Sequence, residues 1–302
     1  MRRILVLLAT ACAVLLGLVL LLARRQLPVS KTPFAQAREA TQIVLKEGDR
    51  EILLKKEDQK WKVAPSASSP ALYPVDEPKI KAFTDSLSAV EVEDVIGDRA
   101  DRAAEFEVDT AKGIRVLLSN AVKTSLGDGI FGKQAPDFTH LYFRYPDRPL
   151  VYLARGLIRG DLQVSLNAWR SHDVVPYAEA EMQSITFEKL GSKIQLNRSS
   201  ETWKVNGKPA NAQKVYGLVG TLAHLQADTF PEAFGGDISG PVLTITIRAA
   251  TGQVILRIGS IGSKDPMHLA VTDAIPSPGG IFQISDEKVK TLQPKLSDLM
   301  SH

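Results

Sequence analysis

The chain has 302 residues, 44% of them hydrophobic, and 37 Lys and Arg against 34 Asp and Glu give a formal net charge of +3. That length is comfortable for two domains with cores of their own. A balance so near neutral, with no basic run, excludes the stripe that tracks a nucleic-acid backbone.

The first element is a run of 20 residues without a charge, Ile4 to Ala23, bracketed by Arg2-Arg3 and Arg24-Arg25. A helix rising 1.5 Å per residue would make this run about 30 Å long, the thickness of a bilayer hydrocarbon core. A cleaved signal peptide has an apolar region of only about 7–15 residues and a small-residue cleavage site. Here arginines close the run, and it continues well past Cys12, where a lipidated cysteine would end it. Residues 1–25 are therefore expected to be a retained single-pass membrane anchor. Cations at both ends leave its orientation undecided by charge. Cys12 is the only cysteine, so the body can form neither a disulfide nor a thiolate metal site. Residues 26–40, with two prolines and scattered charge, read as a short tether.

The body repeats itself. Residues 43–63, IVLKEGDREILLKKEDQKWKV, align without a gap on 185–205, ITFEKLGSKIQLNRSSETWKV, at a constant offset of 142 (43 to 185, 61 to 203). Each copy alternates apolar and polar residues, turns, alternates again, turns, and ends in W-K-V, which predicts an antiparallel meander with one buried face. Asp76 and Asn211 then stand as N-caps before helices with apolar stripes at Ile80, Phe83, Leu87 and Val90, and at Val215, Leu218, Leu222 and Leu225. Strands follow at Ile114-Val116-Leu118 and Leu243-Ile245-Ile247, with further strand signals at 141–153 and 280–284 and a last amphipathic piece, VKTLQPKL. The predicted fold is α+β, two tandem repeats of an antiparallel sheet packed with a helix behind an N-terminal transmembrane helix. The repeats are placed at 41–165 and 184–302, with a connector at 166–183.

Residues 127–132, GDGIFG, match the G-x-G-x-x-G pattern of dinucleotide loops. Such a loop must open a helix whose N-terminus faces the pyrophosphate. KQAPDFTHLYF follows instead, and Asp147, at the spacing of the ribose-binding acid, sits in a YPDRP turn. Aligning Leu126 with Leu256 puts Gly129 and Gly132 on Gly259 and Gly262 and replaces Gly127 by Arg257. The glycines are expected to be turns, and no nucleotide or other cofactor is expected.

Chemistry-bearing patterns are sparse. Of the five histidines, His140, His172, His224, His268 and His302, no pair has the i, i+4 spacing of a helical zinc site, and neither H-E-x-x-H, G-x-S-x-G nor a P-loop occurs. His140 and His268, each before a leucine, are expected to occupy matching edge positions in the two repeats. His224 is expected at the edge of the helix stripe. The acidic stretches 91–95 and 76–78 fit helix-end preference. Trp61 and Trp203, each ending a meander, are expected in the two cores; lining a ligand groove or stacking on a sugar is the alternative. No catalytic, cofactor-binding or metal-binding residue is assigned.

Beyond the tether the chain resembles a bacterial family catalogued as domain of unknown function 4340. The resemblance is carried by the anchor, the IVLKEGDREILLKKEDQKWKV meander, a helix of L-x-x-L-x-A character before a strand ending in "IG", and WRSHDVV at 169–175. It departs at EFEVDTAKG, 105–113, where relatives carry a Y-G-L-x-x-P turn. The resemblance implies an envelope-facing protein, encoded near ABC-type transporters related to gliding-motility systems, and implies no catalytic residues. The expected function is accordingly a non-enzymatic accessory or scaffold protein of the inner membrane, its body on the periplasmic or extracytoplasmic side. Its expected partners are the membrane and ABC-type transporter subunits. Capture of a lipid, glycan or peptide between the repeats is the alternative, and an envelope hydrolase ranks below it.

Overall fold

A computed structural model describes residues 30–97, 102–231, 238, 240–261, 267–275 and 280–301. The expected anchor, Ile4–Ala23, lies outside the described residues, as does His302. Among the described residues no helix is long and apolar enough to cross a membrane. The described residues are mixed α/β, with two antiparallel sheets and few helices. It divides into two compact units, the described residues of Met1–Ser69 with Glu77–Trp169, and of Pro70–Asp76 with Arg170–His302.

In chain order the first strands are β1 (Gln42–Glu47), β2 (Arg50–Glu57), β3 (Lys60–Ala64), β4 (Tyr73–Pro74), β5 (Glu91–Gly97), β6 (Ile114–Ser119), β7 (Ser125–Gln134), β8 (Leu141–Arg144) and β9 (Val151–Arg155). They form a nine-stranded sheet in the order β4-β3-β2-β1-β6-β7-β8-β9-β5. Helix α1 (Glu77–Ser88) begins directly after Asp76, and short α2 spans Leu166–Trp169. The second sheet holds β10 (Met182–Lys189), β11 (Ser192–Ser199), β12 (Thr202–Val205), β13 (Lys208–Pro209), β14 (Leu243–Ala249), β15 (Gly252–Ile261), β16 (Met267–Thr272) and β17 (Ile281–Ser285). Its eight strands run β13-β12-β11-β10-β14-β15-β16-β17. Helices α3 (Ala212–Ala223), α4 (Asp286–Thr291) and α5 (Leu296–Leu299) accompany it.

The repeat read in the sequence is a repeat of register. Ile43 pairs with Leu54 and Leu45 with Ile52, as Ile185 pairs with Leu196 and Phe187 with Ile194. Leu54 meets Val63 as Leu196 meets Val205. Because strand side chains alternate with period two, equal register puts equal positions on the buried face. Ile43, Leu45, Leu54 and Val63 are fully buried, as are Ile185, Leu196 and Val205. The helix stripes bury as their spacing requires: Ile80, Phe83, Leu87 and Val90 in one copy, Val215, Leu218, Leu222 and Leu225 in the other. Asn211 caps α3, its side chain accepting a hydrogen bond from the Lys214 amide.

The likeness runs beyond the boundaries drawn from sequence. A 3-10 turn at Ala37–Glu39 recurs, at the same offset of 142, at Glu179–Glu181. Helix α2, inside the expected connector, recurs as α5. The bridge Val75 to Arg170 recurs as Ala210 to Met300, and the bond from the Ser171 amide to the Pro74 carbonyl recurs from Ser301 to Pro209. Strand β5 pairs with β9, and among the described residues of the second copy its counterpart is the bridge between Thr229 and Gln283 on β17.

Residues 30–40 are packed rather than free. Phe34, Ala37 and Ala40 are buried, the Tyr145 hydroxyl donates to the Ser30 carbonyl, and the Val92 amide donates to the Lys31 carbonyl at 2.7 Å. Burial also pushes the Tyr145 phenol up to about 12.

Candidate functional site

The glycines of GDGIFG are not turns: they lie inside β7. A side chain at Gly127 would meet the Phe34 ring, one at Gly129 the Phe143 ring, and one at Gly132 the Phe106 carbonyl, all at 2.5 Å or less. The alignment of Leu126 with Leu256 also fails, by three residues. Val116 pairs with Gly129 where Ile245 pairs with Leu256, and Leu118 pairs with Gly127 where Ile247 pairs with Val254. The second copy thus fills its core with Val254 and Leu256 on this strand. The first copy leaves glycines there, and Phe34 and Phe143 supply the volume from elsewhere. Phe34 stacks on Phe131 at 5.7 Å and meets Phe143 edge-on at 6.3 Å. The glycine pattern is core packing between strands.

His140 and His268 are not equivalent either. The ladders place Leu141 opposite Gln134 and His268 opposite Ile261, each beyond a bulge in the preceding strand. His268 therefore matches Leu141, and a shift of one residue turns a side chain to the other face. His268 is buried; its Nδ1 donates to the Gly259 carbonyl at 2.7 Å, and its Nε2 lies 3.1 Å from Asp286 Oδ1. Asp286 is held below its ordinary range by Lys290 first and by His268. His140 is half-buried, with Nδ1 2.6 Å from Asp137 and Nε2 3.2 Å from Glu93. Asp137, receiving the Thr139 amide and the His140 ring, falls to about 2, and its carboxylate raises the His140 imidazole above 6.5. Thr139 Oγ1 and Asp137 meet the same ring nitrogen, so His140 cannot relay a proton from that hydroxyl to the acid. His172 donates from Nδ1 to the Ala227 carbonyl. His224 is the C-cap of α3 and is exposed. Among the described residues no His, Cys, Asp and Glu side chains gather as a metal site would require.

The connector signal WRSHDVV conceals a feature that no motif announced. Arg170, 7% exposed, lies with its guanidinium 3.6 Å from the centre of the Phe230 ring and 4.5 Å from that of Tyr73. Burial brings it down to about 10. Next to it Trp169 packs edge-on against Phe83 at 4.9 Å and donates to the Gln163 carbonyl. These arrangements bring together residues far apart in sequence, so only the fold could reveal them.

Trp61 and Trp203 are both buried, yet their surroundings differ. In the first copy Trp61 and Ile80 line a depression of about 870 Å³ beside Lys56, Gln59, Lys81 and Asp85. Lys56 sits 5.5 Å over the indole, and Lys81 turns along α1 to Asp85 at 2.8 Å, with Arg38 on the same carboxylate. Glu77 accepts the Trp61 amide at 3.0 Å. In the second copy Tyr216 stands where Lys81 does, and its hydroxyl donates to the Glu201 carbonyl, at the position of Gln59. Arg198, matching Lys56, is tied to the Ala180 carbonyl at 2.8 Å. The second copy reaches from helix to hairpin turn through Tyr216, whereas the first ties the helix start to the hairpin through Glu77 and leaves the depression open at Lys81. Lysine and glutamine rims around an indole can hold an extended partner by contact; of the carboxylates on the lining, Glu77 accepts the Trp61 amide and Asp85 is held by Lys81 and Arg38.

A family model described as "Domain of unknown function (DUF4340)" matches residues 61–239. No curated protein and no solved structure matches the chain.

Proposed function

The chain belongs to the family described as Domain of unknown function (DUF4340), and on that footing we propose that it is a membrane-anchored, non-enzymatic accessory protein of the cell envelope. Ile4–Ala23 crosses the inner membrane once, and the body works on the extracytoplasmic side by contact with subunits of an ABC-type transporter. The length and apolarity of Ile4–Ala23 support the anchor. The family resemblance supports the compartment and the class of partner. The observation that carries the contact reading is the open depression at Trp61, set against its bridged counterpart at Trp203. A short link to the membrane adds effective concentration, so a modest surface suffices to hold a membrane partner.

Lys81→Tyr tests this reading, because it introduces the bridging residue of the second copy at an exposed helix position. A photoreactive residue at Gln59 of the full chain should cross-link to a membrane protein in intact cells, and Lys81→Tyr should abolish both the cross-link and the biological phenotype. A chain lacking residues 1–25 should also lose function. Full complementation by that soluble body contradicts the proposal. So does a single histidine or carboxylate substitution that ends activity while the protein stays folded, which would indicate an enzyme.

A further inference from the structure

We propose that the first unit also holds a binding site for a phosphate-type oxyanion, formed where Lys46, Arg115 and Arg144 meet on one row of the sheet. Lys46 pairs with Arg115, Arg115 with Ile130, and Ile130 with Arg144, and directly paired residues share a face. All four line a cavity of about 680 Å³, within the range of small-molecule sites.

The fold does not require these cations. The corresponding row of the second copy reads Glu188, Thr244, Arg257 and Val271, in the same ladder. There Glu188 is neutralised by its cross-strand neighbour Lys193 at 2.9 Å. In the first copy the signs are exchanged, with Lys46 opposite Glu51, but the pair is not made. Glu51 instead accepts the Ala67 amide at 2.9 Å. Lys46 is left exposed and without an ion pair among the described residues, its three donors uncommitted.

Arg144 is half-buried, and its hydrogen bonds go to the Val108 carbonyl at 2.9 Å and the Arg148 carbonyl at 3.4 Å. Carbonyls do not neutralise its charge. Arg115 is gripped by Asp128 through Nε and one terminal nitrogen, which leaves the other terminal nitrogen for a ligand. Asp109 shares the cavity, but one of its oxygens is occupied by the Ala111 and Lys112 amides. Together with Asp49 and the Asp128 that grips Arg115 it offsets the three cations in formal charge, so the site offers directed donors and little net charge, which suits a mono- or dianion and not a polyanion. Donors arriving from three strands match an oxyanion with three or four oxygens, whereas a carboxylate is satisfied by a single arginine fork.

The test is calorimetric titration of the full chain in detergent micelles with inorganic phosphate and with glycerol 3-phosphate, at constant ionic strength. Both should bind saturably, and Lys46→Gln should weaken them about ten-fold or more, the scale of one charge-assisted hydrogen bond. Lys193→Gln, at the matching position of the opposite hairpin strand in the second copy, should change nothing. Tighter glycerol 3-phosphate identifies an organic phosphate as the ligand, and equal affinities identify free phosphate. Absence of saturable binding by either probe overturns the proposal, as does binding indifferent to Lys46→Gln while the thermal transition is unchanged.

Discussion

Replacing Phe34 with alanine should destabilise the first unit by about 3–5 kcal/mol, the usual cost of emptying a buried aromatic site. Phe34 is fully buried, stacked on Phe131 and edge-on to Phe143. Its ring occupies the space above Gly127 and Gly129. Glycines have no side chain to swing into the hole, so the cavity should persist and the loss should fall in the upper part of that range. Urea unfolding of the Trp203→Phe background would isolate the first unit, because Trp61 and Trp169 are then the remaining tryptophans and both lie in it. With a slope of about 2 kcal/mol per molar, the midpoint should fall by about 1.5–2.5 M. A loss below about 1 kcal/mol would refute the packing of residues 30–40 and restore them to the role of a free tether.

His268→Ala should cost about 1–3 kcal/mol by leaving the Gly259 carbonyl without its buried donor, while exposed His224→Ala should stay within about 0.5 kcal/mol; thermal unfolding of the two variants checks the contrast, and equal effects would contradict it. An NMR titration should place His140 above 6.5, and Asp137→Asn should bring it back down. Its raised value means that the stabilisation from this pair is complete below pH 6.5 and is lost as pH rises through the folded-state value. Asp137, lowered to about 2, contributes above its ordinary 3.8, and that share is lost as pH falls towards 2. A His140 titration unmoved by Asp137→Asn would sink both statements.

Much of the fold was legible because it depends on local periodicity. The meander, the W-K-V ends and the two helix stripes were placed correctly, since apolar spacing of two or 3.6 dictates which side chains face a core. Reading failed where the two copies differ in the connection between paired strands. The first copy has a longer hairpin between β6 and β7 and an extra residue in β7 between Ser125 and Gly127, whereas β14 and β15 pair without a break down to Ala249 and Gly252. Aligning by residue type slipped by three residues at the glycines and by one at the histidines. At the candidate site Trp61 was visible as a residue but the groove was not, because it depends on whether Lys81 or Tyr216 reaches across from the helix. Lys46, Arg115 and Arg144 carry no motif at all; four strands bring them into one row.

The sequence by itself determined the duplication, the α+β pattern and the buried face of each meander, because these follow from spacing within one segment and from its recurrence 142 residues later. Only the tertiary structure decided what fills the space over Gly127 and Gly129, which histidine faces inward, and which lysine is left without its cross-strand partner. Each of those outcomes rests on a contact between distant segments: Phe34 over β7, the Gly259 carbonyl at His268, the Ala67 amide on Glu51. Packing and hydrogen-bond competition choose among partners that a linear pattern does not rank, since the energies that decide depend on which side chains the fold brings within reach.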